Sequence, residues 1–218
     1  MKTRQPLTRD RIVEAALALA DREGPSAVTM RRLGRELDVE GMAIYGYFAS
    51  KEELLGGVAA RVLSELDLRP RRGATWETRV RHVVSSWARL RDRHPGGFPL
   101  LYARRDWARQ EFEPIEEILD ALREAGLPPA RAALVYQTLV WLLDGILLSS
   151  GYSEEPVRRV WEHGLEIVDH DAFPRYVEAA PHAAKISGKK IFDFGVELLI
   201  RGLRDLVEGE SSPIRKPR

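Results

Sequence analysis

The sequence has no cysteine. That absence excludes disulfide frameworks, thiolate nucleophiles and cysteine-ligated zinc, and it points to a reducing, cytoplasmic setting. An excess of one charge is also missing. The formal net charge is +1, so whole-chain electrostatics says nothing about nucleic acid, and only the distribution can. Long apolar runs are lacking as well. The most apolar stretch, Ala132 to Leu148, is broken by Gln137, Thr138 and Asp144. A membrane span needs roughly 20 mostly apolar residues, so a helix buried within protein is expected and no membrane partner. The N-terminus carries no apolar core of a secretory signal. No Walker loop, G-x-G-x-x-G, H-E-x-x-H or nucleophile elbow occurs, which argues against an enzyme and leaves no cofactor or metal to expect. No period-2 run is long enough for a strand.

What is present is helical period almost throughout. Ile12, Ala15, Ala16, Leu19 and Ala20 share one face, with Thr8 as N-cap and Gly24-Pro25 as stop. A short helix starting at Thr29 places Met30, Leu33 and Leu37 inward. Asp38-Val39 makes a turn, and a second short helix follows. Ser50-Lys51-Glu52-Glu53 reads as a capping box opening a longer helix through Leu66. A linker at Leu68–Gly73 precedes further amphipathic helices, and the last of these spans Gly188 to Val207. Asp171 to Ser187 shows a looser pattern. The expectation is an all-α chain: a helix-turn-helix domain over 1–66, a larger helical domain over 67–208, and a flexible tail over 209–218. Arginine dominates the basic residues and alanine is abundant, a composition pointing to a GC-rich bacterial genome.

Two short helices joined by a tight turn and packed on a longer one suit DNA. The helix in the major groove needs small side chains near the base edges, and its neighbours need donors for phosphates. Gly41, Met42 and Ala43 stand at the start of the third helix. Tyr45 and Tyr47 carry hydroxyls, Lys51 sits at the next helix N-terminus, and Thr29 with Arg31 and Arg32 caps and lines the second helix. Two readings stay open for some of these: Arg31 and Arg32 serve equally as a solvated face, Tyr47 also reads as core, and Phe48 reads better as core. The first dozen residues add a basic arm, with Lys2, Arg4, Arg9 and Arg11 against Asp10 alone.

The T-R-x-x-I-x-x-A-A start at Thr8, the L-G-x-x-L-x-V turn at Leu33 and the I-Y-x-Y-F-x-S-K-E-x-L-L block at Ile44 together resemble the DNA-binding domain of the TetR family of bacterial repressors. The stretch "ISGKKIFDFGVELLIRGL" is similar to the regulatory domain of tetracycline-repressor-like members. This resemblance implies phosphate contacts at Thr29, Tyr45, Tyr47 and Lys51, and bases facing Glu40, Gly41, Met42, Ala43 and Gly46. Gly46 departs from the bulkier residue common in relatives, and Glu40 can accept from a cytosine amine while repelling phosphate.

The helices at 130–149 and 188–207 are apolar on more than one face, so a second copy is expected to cover the surplus, forming a homodimer with a four-helix interface. Two recognition helices would then stand about 34–36 Å apart on a palindromic operator in double-stranded DNA. Trp87, Phe98, Tyr102, Trp107, Tyr136 and Trp141, with Gln137, Asp144 and His163, could line a pocket for a small apolar effector. Taken singly, each reads better as core than as a ligand contact. Asp169-His170-Asp171 reads as a solvated cap, and Pro99 to Leu101 stand where the tetracycline repressor's metal-binding histidine is expected, so tetracycline is not expected as the effector. The function read from the sequence is a ligand-responsive transcriptional repressor, with an activator or a plain helical small-molecule-binding protein as the alternative.

Overall fold

The computed structural model describes residues 6–69, 73–102, 109–148 and 154–210. The described residues hold ten α-helices and no strand: α1 (Arg9–Glu23), α2 (Met30–Leu37), α3 (Gly41–Ile44), α4 (Lys51–Leu63), α5 (Trp76–Arg93), α6 (Arg109–Glu124), α7 (Pro129–Leu148), α8 (Glu154–Ile167), α9 (Pro174–Ala183) and α10 (Gly188–Glu210). The fold is all-α, as the periodicity implies.

The helix ends follow from side-chain chemistry. Thr8, Thr29 and Ser50 each hold extended backbone and accept from the amide of N3 with their hydroxyl oxygen. Each hydroxyl thereby satisfies one amide that the first turn leaves orphaned. The Glu53 carboxylate closes the box at α4 by accepting from the amide of Ala49, one residue before the cap, at 2.7 Å. Gly24, at φ 88°, ends α1 in a conformation that side chains disfavour. One element differs from the sequence reading. α9 occupies the stretch expected to be loose: Pro174 stands at its first position, where a missing N–H costs nothing, while the internal Pro181 masks the pattern. α6 begins at Arg109 and carries Pro114 within it.

The chain forms two compact units. The first comprises the chain up to Arg72 together with Ser85–Glu117. It therefore gathers the second half of α5 and the 3₁₀ turn Phe98–Leu101 onto the N-terminal helices, beyond the linear boundary expected at 66/67. Here α1 packs on α2 and α4, α2 on α3, and α4 on the 3₁₀ turn. Ile12, Leu19, Leu33, Ile44, Phe48, Leu54 and Phe98 are its largest buried side chains. Asp21 Oδ1, near the end of α1, accepts from the amides of Gly96 and Gly97 at 3.0 and 2.8 Å, and its Oδ2 lies 2.8 Å from His94 Nδ1.

The second unit comprises Gly73–Val84 and the chain from Ile118 onward. α7 and α10 pack so closely that a Cβ on Gly195 would stand 3.4 Å from Ile146 Cδ1. α7 is the one described helix long and apolar enough to cross a membrane. It buries a single stripe, Ala132, Val135, Leu139, Leu143 and Leu147, within the unit. Arg79 ties α5 to α6 through Asp120 and Glu124, both at 2.6 Å.

Candidate nucleic-acid interface

The corner between α2 and α3 is built by close backbone approach. Asp38 ends α2 in the left-handed region at φ 55°. This turn folds the chain back so tightly that a Cβ on Gly34 would stand 2.8 Å from the Val39 carbonyl oxygen. Gly41 faces the same seam, since its Cβ would stand 3.2 Å from the Met30 carbonyl. The leanness of Gly41 therefore serves the contact with α2. Ile44 and Phe48 are buried and fix the inner side of α3. On the outer side Met42 is 76% exposed and Tyr45 45% exposed, and Glu40, Ala43 and Gly46 are exposed with them. A Cβ on Gly46 would meet only the Ala43 carbonyl, at 3.4 Å.

Around this face the expected phosphate donors divide. The Thr29 hydroxyl oxygen accepts from the Arg32 amide at 3.1 Å, which leaves its O–H proton to donate outward. Arg31 is exposed, and Lys51 is half-buried at the first position of α4. Arg32 is engaged instead with Glu23 at 2.7 Å and Glu36 at 2.9 Å, and Arg22 joins both carboxylates. The Arg32 hydrogen bond holds Glu23 below its ordinary carboxylate range, and Glu23 in turn raises Arg32. Of the two readings of Arg32, the geometry favours the ion-paired surface. Tyr47 is half-buried, and its hydroxyl donates to the Leu7 carbonyl at 2.9 Å. With its only proton committed, that hydroxyl cannot donate to a phosphate in this conformation. Arg9 is absent from the sequence-derived contact set. It donates to the Tyr47 carbonyl, pairs with Glu53 at 2.7 Å, and lies 4.2 Å over the Phe48 ring. Its place in the T-R-x-x-I start was the available signal, but nothing in one sequence names a partner 44 residues away.

The residues expected to bind an effector are distributed over both units. In the first, Trp87, Phe98 and Tyr102 form an aromatic run, with ring centroids 6.0 and 5.9 Å apart. Trp107 lies outside the described residues. In the second, Tyr136 and Asp144 are half-buried, and burial followed by the Asp144 charge raises the Tyr136 phenol. Gln137, Trp141 and His163 are exposed. Trp141, at 72% exposure, points away from its own unit's core. A stacked pair, Trp161 and Tyr176, joins α8 to α9 at 5.1 Å, and Gly164 makes room for it. Asp169 Oδ1 accepts from the amides of Asp171 and Ala172, the geometry of a cap. A polar cavity of about 290 Å³ in the first unit is lined by Glu65, Asp67, Ser86, Arg89, Leu90 and Arg93. None of the expected effector residues lines it.

Residues 12–58 match the family described as bacterial regulatory proteins, tetR family, and residues 69–207 match the tetracyclin repressor-like C-terminal domain. The chain is 28% identical over 227 residues to the HTH-type transcriptional repressor DrrR1 of Streptomyces coeruleorubidus, covering 95% of this chain and 82% of that protein. Among solved structures it is similar to ActR of Streptomyces coelicolor in complex with actinorhodin, with 27% identity, TM-score 0.76, and 91% and 96% of the two chains covered. It is also similar to BioQ with its double-stranded DNA operator, with 26% identity, TM-score 0.64, and 91% and 98% covered. A capped helix pair turned on Asp38, an exposed α3 face and two family matches that together span most of the chain lead to one conclusion: this protein belongs to the TetR family and is a DNA-binding transcriptional regulator, not an enzyme.

Proposed function

We propose that the protein is a cytoplasmic homodimeric repressor that leaves a palindromic operator when a small, largely apolar molecule binds its helical domain. The observation that carries this reading is the face of α3. Met42, Ala43, Tyr45 and Gly46 are exposed on a helix whose other side is locked by Ile44, Phe48 and the glycine seam with α2. A rigid, lean, outward helix is what base-edge reading requires. Met42 and Ala43 read bases, Glu40 accepts from a base amine, and Thr29, Arg31, Tyr45 and Lys51 hold phosphates. The likeness to repressors, and to a relative solved with actinorhodin, supports an effector.

Dimerisation is supported by what α7 and α10 leave uncovered. Leu134, Trp141 and Leu148 repeat at seven-residue spacing on α7, at 66%, 72% and 44% exposure. Phe194 and Leu198 on α10 are 65% and 55% exposed. Apolar rows on two neighbouring helices fit the same pair in a second copy, and this also accounts for the hydropathy of α7 without a membrane. Effector binding would act by its unequal affinity for DNA-competent and DNA-incompetent arrangements of the dimer. The test is fluorescence anisotropy with a duplex from the intergenic region upstream of the protein's own gene, followed by a compound screen for release. Met42→Ala should change the ranking of operator variants, whereas Lys51→Ala should weaken all of them alike. Wild-type protein that binds no duplex would sink the proposal.

A further inference from the structure

The polar cavity of the first unit, about 290 Å³, shares no residue with the groups proposed for DNA or effector. Its wall has a specific chemistry. Ser86, Arg89, Leu90 and Arg93 fall at i, i+3, i+4 and i+7 along α5, so one face of that helix lines it. Glu65 and Asp67, just beyond the end of α4, complete the lining. Ser86 is the one buried polar residue among the described residues, at 4% exposure. Its hydroxyl donates to the Asp67 carbonyl at 2.9 Å and accepts from Arg89 Nη2 at 2.7 Å. The hydroxyl thereby anchors a guanidinium at the cavity wall.

We infer that this cavity binds a small organic monocarboxylate, held by the Arg89 guanidinium and seated on Leu90. The ion pairs in the wall decide which groups are unspent. Arg93 lies 2.5 Å from Glu65, which Arg61 also holds at 2.6 Å. Asp67 has Arg69 at 3.1 Å. Arg89 has no carboxylate partner among the described residues, and its bond to Ser86 uses one of five N–H donors. It is exposed, so a solute reaches it from water. A guanidinium held at one corner still presents a planar fork, which a carboxylate fills with two parallel hydrogen bonds. Leu90, 2% exposed, adds an apolar seat for a short carbon chain. The volume is small beside the roughly 300–1,000 Å³ of ordinary ligand sites, which limits that chain to a few carbons. Charge sets the class. Arg89 and Arg93 are matched in the wall by Glu65 and Asp67, so a second negative charge on the ligand would meet carboxylates with no cation left for it. A monoanion fits and a phosphate dianion does not. The site is a second chemical input, in the unit that carries α3.

The experiment is an NMR titration of the full chain with sodium butyrate, read on the Arg89 Nε–Hε and Leu90 methyl signals. Sodium chloride and sodium phosphate at equal ionic strength serve as controls. Butyrate should move both signals along saturable curves, and neither control should saturate them. Arg89→Gln removes the fork from an exposed side chain and should weaken butyrate binding at least about 10-fold at the Leu90 methyls. Ser86→Ala should weaken it several-fold by releasing the guanidinium; should that variant fail to fold, Arg89→Gln alone decides. A Leu90 response that survives Arg89→Gln unchanged overturns the inference. Saturation by phosphate as tight as by butyrate also overturns it, and so does a linear response to all three salts, which is screening alone. Operator binding by wild type is measured without butyrate, so failure here leaves the repressor reading standing.

Discussion

At the scale of single residues, the first unit depends on a few groups that admit no substitute. Gly96 lies against the end of α1 so closely that a Cβ would stand 1.9 Å from the Ala20 carbonyl oxygen. Backbone cannot yield as a side chain can, so Gly96→Ala should cost roughly 1–3 kcal/mol in urea denaturation. A cost near zero would show that the 3₁₀ turn floats free of α1. Glu65 is the second such group. Burial alone pushes its carboxyl up, but hydrogen bonds from Arg93 and Arg61, with the His94 ring beside it, outweigh burial and hold it at about 2. Arg93 and Arg61 stand 2.5 and 2.6 Å away. Because the folded value is depressed, the stability it contributes is complete above the unfolded value near 4.5 and is lost as pH falls towards about 2. The side chain is 16% exposed, and a shift of this size corresponds to roughly 3 kcal/mol. Glu65→Gln should therefore lower stability near neutral pH, and the gap to wild type should close steadily below pH about 4.5 in chemical denaturation followed across pH. A gap independent of pH would exclude ionic pairing as its source.

At the scale of elements, α3 has only four residues and cannot be stable alone. Its geometry is borrowed from α2 through Gly34 and Gly41, from Phe48, and from the cap of α4. Ser50→Ala removes the hydroxyl that accepts from Glu53 N at 3.1 Å and should cost about 1 kcal/mol. Because α4 begins immediately after the recognition corner, the same change should weaken operator binding without touching a base. Thermal denaturation and anisotropy together check this, and a stability loss with unchanged binding would separate the cap from the corner. The caps, the turn and the capping box were legible in the sequence, because each is a local rule linking residues at most four apart. The role of Gly41 was not. A small residue at a helix start reads the same whether DNA or another helix approaches it, and only the fold shows α2 on that side.

At the scale of the whole molecule, the proposed dimer supplies two half-sites and therefore most of the affinity. Phe194→Asp with Leu198→Asp should leave the helical content intact and yield a monomer by sedimentation velocity. Operator binding should fall by at least about 100-fold, because linked half-sites gain that much from effective concentration. A dimer that survives both changes would place the interface elsewhere.

By itself the sequence determined the all-α class, the helix-turn-helix and its caps, and the family, since these rest on local periodicity and on a motif of contiguous residues. Tertiary structure decided which polar groups remain free to act. Tyr47 is drawn to Leu7, Arg32 to Glu23 and Glu36, and Trp141 faces outward on α7. Each depends on a partner or a helix face that only packing assigns. A hydrogen-bond donor has few protons and an ion pair one charge, so what a residue can offer DNA or a ligand is what folding has left unspent.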